Sequence, residues 1–262
     1  MAELRTADGV VLSAHHDPGP SMDLAFVAAH GFTGSWRTPA MRRVAGILGE
    51  RGGVVTFDLR GHGRSGGAST VGDREIYDVA AAVDWARTLG YRRVATVGFS
   101  LGSACVVRHA AAFPAGDLVG VAAVSGPSRW YYRGTVPMRR LHWVVEWPLG
   151  RLVSRVALRT RVSSVAWPAD QLPESPTEAA ARLAPVPLLV VHGDADRYFP
   201  VDHAQALHAA AGPTGELWIE PGFGHAENAA SDDLVRRIGD WLAARAERLN
   251  GLPPRPSGGP PS

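Results

Sequence analysis

The chain has 262 residues, of which 45% are hydrophobic and 20% are charged, with a single cysteine and a formal net charge of +2. An ordinary hydrophobic fraction and one thiol exclude a disordered or disulfide-stapled protein, and the length suits one large α/β domain or two small domains. The 27 basic residues in the Lys+Arg count are all arginines and face 25 acidic residues. This near balance argues against a nucleic-acid partner.

Apolar runs typical of strands alternate with helical patterns along most of the chain. The runs predicted as strands cover residues 4–6, 10–14, 24–29, 54–59, 94–99, 120–124, 187–191 and 216–219. Helical spacing of apolar residues covers residues 39–50, 73–89, 103–112 and 232–249. Because parallel neighbours need a crossover that a helix fills, this order predicts the α/β class. We expect a predominantly parallel sheet with helices on both of its faces.

Two stretches interrupt this alternation. Residues 126–183 form a long insertion between two strands, and residues 129–170 within it hold eight arginines against Glu146 and Asp170, a local charge of +6. Residues 250–262 are rich in proline and glycine, which predicts a disordered tail. The predicted organisation is therefore a core of residues 1–125 and 184–249, an insertion of residues 126–183, and the tail.

The sequence carries no targeting or membrane signal at its start. The first nine residues hold charges of both signs, and no apolar run approaches the roughly 20 residues that cross a bilayer. We therefore expect a cytoplasmic protein without stable membrane insertion. The oligomeric state cannot be predicted from these features.

The strongest motif is G-x-S-x-G at residues 98–102, between an apolar strand and a helix of small residues. A sharp turn from strand to helix exposes the Ser100 hydroxyl, and the flanking glycines avoid clashes that a Cβ would cause. The helix start behind Ser100 supplies backbone N–H groups for a developing oxyanion. Ser100 is therefore predicted to be a nucleophile rather than a simple helix cap.

A serine nucleophile needs a general base, and the base needs an orienting carboxylate. His225 follows one predicted strand, and both Asp194 and Asp196 follow another. The carboxyl ends of parallel strands share one edge of the sheet, where active sites lie. The chain order of serine, acid and histidine suits a hydrolase built on this fold, with either aspartate as the acid.

These motifs together resemble the α/β-hydrolase fold, in particular the group of lysophospholipases, monoacylglycerol lipases and carboxylesterases. The segments that carry the resemblance are 30–35 (HGFTGS), 58–65 (DLRGHGRS), 98–102 (GFSLG), 192–196 (HGDAD) with Pro200, and 224–225 (GH). The resemblance implies Ser100 as nucleophile, His225 as base and Asp196, the fifth residue of its motif, as acid. It also implies an oxyanion hole formed by the backbone N–H groups of Phe32 and Leu101, and neither a metal nor an organic cofactor.

The family inserts a cap over its active site at the position of residues 126–183. The resemblance therefore implies that this interval shapes the substrate pocket, with Trp130, Trp143 and Trp147 as pocket candidates and its arginines favouring an anionic or membrane-surface substrate. The alternative is that the tryptophans pack the cap onto the sheet and that the arginines are solvated.

Three further patterns could indicate a dinucleotide site, a metal site or a reactive thiol, but each has a better explanation. The G-x-G-x-x-G at residues 61–66 follows a strand, but a dinucleotide-binding fingerprint should open a helix at once. His192, Asp194 and Asp196 fit a triad loop better than a metal cluster. Cys105 lies inside an apolar helix, which favours a buried packing role.

The predicted activity is hydrolysis of carboxylic esters of lipophilic small molecules through an acyl-enzyme. A peptidase or amidase of the proline-iminopeptidase type uses the same triad and is the nearest alternative. A ligand-sensing receptor on a hydrolase fold, with incidental turnover, is the alternative from a different functional class.

Overall fold

Eight strands form one sheet in the computed structural model, which describes residues 1–164 and 172–250 of the chain. The strands in chain order are β1 (Ala2–Arg5), β2 (Val11–Asp17), β3 (Ala25–Ala29), β4 (Gly53–Phe57), β5 (Val94–Phe99), β6 (Leu118–Val124), β7 (Leu188–Gly193) and β8 (Gly215–Glu220). Their spatial order is β1-β2-β4-β3-β5-β6-β7-β8. The β1–β2 and β2–β4 pairs are antiparallel, and all other pairs are parallel.

Helices cover both faces of this sheet. They are α1 (Pro39–Leu48), α2 (Glu75–Thr88), α3 (Leu101–Ala112), α4 (Val136–Glu146), α5 (Pro148–Ala157), α6 (Pro176–Ala180), α7 (Asp202–Ala211), α8 (Ala226–Ala229) and α9 (Asp232–Asn250). One apolar layer packs α2, α3, α6 and α7 on the sheet, and a second packs α1, α8 and α9 on its other face. The predicted α/β class and sheet type are confirmed.

The central strands are buried on both sides, which explains their uninterrupted apolar sequences. Every residue of β3, β5 and β6 is buried, as parallel strands between two helical layers must be. The predicted strands all occur, with ends shifted by at most three residues. The helices α4 to α8 were not predicted.

The inserted interval divides into two parts with different partners. The helices α4 and α5, which we call the cap helices, pack on each other, whereas α6 packs against α3 and α7 of the core. Ala179, Ala180 and Leu183 belong to the main apolar layer. The end of the interval therefore contributes to the core, and residues 126–164 contain the part that stands over the sheet edge.

Some sequence predictions lie outside the described residues. They are the predicted tail beyond Asn250 and, within the insertion, the acidic residue Asp170. Among the residues that the structure does describe, no helix combines the length and the apolar character that crossing a bilayer requires.

Candidate active site

Ser100 occupies the tight turn between β5 and α3. Its backbone lies in the left-handed region, with a φ of 51° and a ψ of −114°, a strained conformation for a residue with a Cβ. A Cβ on Gly98 would lie 2.3 Å from the Gly102 oxygen, and one on Gly102 would lie 2.4 Å from the Ala29 oxygen. Both glycines of the motif are therefore required by close backbone packing, which holds the turn and presents the Ser100 hydroxyl.

The histidine and the acid come from the loops that follow β8 and β7. His225 Nε2 lies 2.9 Å from Ser100 Oγ, and His225 Nδ1 lies 2.7 Å from Asp196 Oδ2. The Asp196 side chain is fully buried, and that of His225 is 17% exposed. Ser100, His225 and Asp196, which are far apart in the chain, thus form one continuous hydrogen-bonded series.

Backbone amides determine how Asp196 faces His225. The N–H groups of Tyr198 and Phe199 donate to Asp196 Oδ1, at 2.7 and 3.2 Å. This leaves Oδ2 for His225, and because a carboxylate only accepts, Nδ1–H donates and the Nε2 lone pair faces the Ser100 hydroxyl. The Tyr198 ring stacks on the imidazole with centroids 4.2 Å apart, which further restricts the ring.

Asp194, the rival acid, has a different partner. Its Oδ1 accepts a hydrogen bond of 2.7 Å from the N–H of Gly222, in the turn that leads towards His225. The structure therefore brings Asp196 to the imidazole and leaves Asp194 to tie two loops together.

The backbone amides of Phe32 and Leu101 lie at the wall of the same site. Both residues line the cavity beside Ser100, and neither amide has a hydrogen-bond acceptor among the described residues. A Cβ on Gly31 would lie 3.2 Å from Ser100 Cβ, so the loop that carries Phe32 is in contact with the proposed nucleophile. The two N–H groups therefore stay predicted donors for a developing oxyanion.

A neutral histidine holds the loop that carries Phe32. The N–H of Leu59 donates to His30 Nε2 at 3.1 Å, so the Nδ1–H of His30 donates to the Gly31 oxygen at 2.7 Å. Burial and then the nearby His62 ring lower the pKa of His30 to about 4. His30 is therefore uncharged near neutral pH, which this tautomer requires.

Glu227 is a polar residue of the site that sequence reasoning missed. Its Oε1 accepts a weak hydrogen bond of 3.4 Å from the Gly31 N–H, and its buried Oε2 has no partner among the described residues. Burial raises the pKa of this carboxyl, which favours its neutral form. No local pattern signals the contact, because Gly31 and Glu227 are 196 residues apart.

A cavity of about 550 Å³ opens beside Ser100, within the usual range for small-molecule sites. The wall opposite Ser100 comes from the inner side of α4, where Met138, Leu141 and Val145 follow one another at helical spacing. Trp130 also lines the cavity, as predicted. The described wall is mostly apolar.

Trp143 and Trp147 do not line this cavity, so their prediction as pocket residues was wrong. Their side chains are 41% and 60% exposed. Trp143 lies two residues after Leu141, which turns it to the opposite side of α4, and Trp147 ends that helix.

The charged residues of the cavity wall are largely paired. Glu146 Oε1 lies 2.6 Å from both Arg133 and His142. Burial alone would raise the pKa of Glu146, but hydrogen bonds from His142 and Arg133 outweigh burial and lower it. The Arg151 guanidinium donates to the carbonyl oxygens of Val145 and Glu146 at the end of α4. Glu146 is thus a charged but occupied acceptor.

The other sequence patterns, namely a metal cluster, a dinucleotide loop and a reactive cysteine, do not form such sites among the residues that the structure describes. In the described part of the chain, no group of three or more His, Cys, Asp or Glu side chains is arranged to hold a metal ion. A Cβ on Gly61 would meet the Arg161 oxygen, and one on Gly63 would meet the Asp58 carboxylate, so the chain itself fills the glycine-rich loop. Cys105 is buried in α3, and burial raises the pKa of its thiol.

The chain matches a known protein family and several solved structures. Residues 26–247 match the model of the alpha/beta hydrolase family, and no curated protein matches the chain significantly. Similar solved structures include the esterase Pf2001 of Pyrococcus furiosus, with 25% identity over 95% of this chain and 90% of that chain and a TM-score of 0.71. A putative aryl esterase from Burkholderia cenocepacia has 21% identity over 94% of this chain and 99% of that chain, with a TM-score of 0.70. Because the family model covers most of its length, the chain belongs to the alpha/beta hydrolase family.

Proposed function

We propose that the protein is a serine hydrolase that cleaves carboxylic esters of lipophilic small molecules. The observation that carries the proposal is the hydrogen-bonded series from Ser100 through His225 to Asp196, at the wall of a mostly apolar cavity. The esterases among the similar structures support the same reaction class. These esterases share the fold with this chain at only 25% and 21% identity, so the proposal depends mainly on the residues of this site.

The reaction follows from the direction of each hydrogen bond. His225 Nε2 takes the proton of Ser100 Oγ as the oxygen attacks the ester carbonyl, and Asp196 stabilises the imidazolium that forms. The carbonyl oxygen becomes an oxyanion that accepts from the Phe32 and Leu101 amides. His225 then gives the proton to the leaving alcohol, and Ser100 carries the acyl group.

Water completes the cycle by the same route. His225 removes a proton from water, which attacks the acyl carbonyl, and then returns the proton to Ser100 as the carboxylic acid leaves. Each proton that leaves an oxygen goes to Nε2 and from there to the departing oxygen. No cofactor enters this scheme.

The shape of the cavity favours an apolar acyl or alkoxy group. Met138, Leu141 and Val145 on α4 offer the substrate an aliphatic surface, and apolar contact with such a wall stabilises bound substrate roughly in proportion to buried area. An aminopeptidase would need a charged and free carboxylate for the substrate amine. Glu146 is already paired with Arg133 and His142, and burial, which raises the pKa of Glu227, favours its neutral form. Esters are therefore favoured over peptides.

A panel of substrates tests the proposal. Wild type and Ser100→Ala would be assayed with aryl esters of increasing acyl length, the matching anilides and monoacylglycerols. We expect multiple turnovers on esters, higher kcat/KM for medium acyl chains than for acetate, and loss of activity in Ser100→Ala. Faster cleavage of anilides would favour the peptidase alternative, and absence of turnover with stoichiometric binding would favour a receptor.

A further inference from the structure

The helix α5 presents its apolar side to solvent. Leu149, Leu152 and Val156 recur at spacings of three and four residues and are 63%, 55% and 73% exposed. The buried residues of this helix are Gly150 and Ser154, which lie on another side of it. An amphipathic helix of a globular protein normally buries its apolar stripe, so α5 has the reverse arrangement.

Close packing of small residues fixes this orientation. A Cβ on Gly150 would lie 2.3 Å from the Trp143 carbonyl oxygen of α4, so no other residue type fits that contact. The Ser154 hydroxyl is buried and donates to the Thr160 oxygen at 2.9 Å. Gly150 therefore allows the cap helices to approach closely, Ser154 ties α5 to the turn that follows it, and the large aliphatic side chains remain outside.

The exposed surface extends to the start of the helix. Trp147, which precedes α5, and Val153, which lies between Leu152 and Val156 on the helical stripe, are also exposed. We call these five side chains the cap patch: Trp147, Leu149, Leu152, Val153 and Val156. A contiguous exposed patch of aliphatic and aromatic side chains marks an interaction site rather than ordinary surface.

Two unpaired arginines adjoin the cap patch in the chain. Of the eight arginines at described residues 129–164, five are engaged elsewhere, in ion pairs with Asp202 and Glu146 or in hydrogen bonds to backbone oxygens. Arg155 and Arg159 are exposed and form no ion pair with a described residue. The patch is therefore apolar at its centre and positively charged at its edge, and this combination calls for a partner that is apolar inside and anionic outside.

We propose that the cap patch docks on the surface of a bilayer that contains anionic lipids. Aliphatic and Trp side chains on one side of a helix enter the boundary between headgroups and acyl chains, while arginines pair with lipid phosphates. A second copy of the chain is a poorer partner, because a two-fold contact through the patch would bring the unpaired arginines of both copies to one interface. The patch lies on the outer side of the cap helices, whose inner side lines the cavity.

Vesicle binding by the Ser100→Ala variant tests docking independently of catalysis. Vesicles of equal parts phosphatidylglycerol and phosphatidylcholine would be sedimented with the protein, alongside vesicles of phosphatidylcholine alone. We expect binding to the anionic vesicles, weaker binding at high salt, and little binding to the neutral ones. Equal binding to both kinds of vesicle, or none to either, would overturn the proposal whether or not the wild type hydrolyses esters.

Substitutions assign the binding to the cap patch. Leu152→Asp/Val156→Asp should abolish it, whereas Met22→Asp, at an exposed apolar residue elsewhere, should not. Arg155→Gln/Arg159→Gln should weaken it by roughly fivefold for each arginine removed. The control Arg42→Gln/Arg92→Gln changes net charge equally at exposed positions outside the cap and should have little effect.

Two readouts separate docking from other outcomes. Turnover of a soluble short-chain ester by the Leu152→Asp/Val156→Asp substitutions in an active background should match wild type, which shows that the fold is intact. Sedimentation without vesicles should show the same mass for both proteins. Self-association that these substitutions abolish would make the patch an interface between copies and would overturn membrane docking.

Discussion

Replacing Asp196 by asparagine is expected to reverse the tautomer of His225 while leaving the fold in place. The N–H groups of Tyr198 and Phe199 both donate to Asp196 Oδ1, so the carbonyl oxygen of the asparagine must take that position. Its NH2 group then points at His225 Nδ1, which has to accept. The ring proton moves to Nε2, where it faces Ser100 Oγ and prevents that atom from acting as the base.

The size of the effect follows from the loss of general-base catalysis. The wrong tautomer of a triad histidine lowers turnover by roughly 10⁴-fold, which corresponds to about 5.5 kcal/mol of transition-state stabilisation. The two backbone hydrogen bonds to residue 196 are kept, so the free energy of unfolding should fall by no more than about 2 kcal/mol. Ester hydrolysis and urea unfolding of the same preparation measure the two quantities.

Asp194→Asn is the matched control. The asparagine oxygen can still accept from Gly222, the partner of Asp194 in the structure, so kcat/KM should stay within about threefold of wild type. The reasoning is refuted if Asp196→Asn retains activity within tenfold, or if Asp194→Asn loses as much as Asp196→Asn.

Three further tests concern the turn at Ser100, the carboxyl of Glu227 and a buried histidine of the core. Gly102→Ala places a Cβ 2.4 Å from the Ala29 oxygen and should lower the free energy of unfolding by about 3 kcal/mol. The control is Gly46→Ala in α1, where a Cβ has no atom within 4 Å, and it should raise the free energy of unfolding by about 0.5–1 kcal/mol. Equal urea midpoints for the two variants would contradict this expectation. Since deprotonated Glu227 would oppose the oxyanion, burial of its carboxyl, which raises the pKa, predicts that kcat declines as the pH rises through that pKa. Glu227→Gln should remove this decline, and an unchanged pH profile would exclude the role. Burial and then Arg87 lower the pKa of His109 to about 4, so the unfolded chain binds the proton first, and stability should fall by about 2 kcal/mol between pH 7.5 and 5 through this group. The free energy of unfolding of His109→Gln should therefore fall by about 2 kcal/mol less than that of wild type over the same pH interval. An identical pH dependence of stability in the two proteins would refute this role of His109.

The core of the fold could be predicted from the sequence because each layer has its own periodicity. The bounds of β5 agree with the apolar run at residues 94–99, since the turn at Ser100 ends the strand and α3 begins at Leu101. At β4 the prediction ran two residues too far, because Asp58 and Leu59 continue the polar and apolar alternation beyond the last paired residue, Phe57.

Contacts between distant segments limited the prediction of the site. The carboxyl of Glu227 meets Gly31 only because α8 returns to the loop after β3, and nothing near either residue announces this contact. The cap helices show a second limit. The stripe of α5 has the spacing of a buried face, but Gly150 packs closely against α4 and Ser154 is the other buried residue of the helix, so tertiary packing turned the stripe outward.

The direct test of the account is the covalent reaction of Ser100. A fluorophosphonate probe attacks only a serine that a neighbouring base activates, and mass spectrometry of the digested protein locates the adduct. We predict one adduct, on the peptide that contains Ser100, with labelling abolished in Ser100→Ala and in His225→Ala. An unlabelled Ser100, or full ester hydrolysis by Ser100→Ala, would contradict the account.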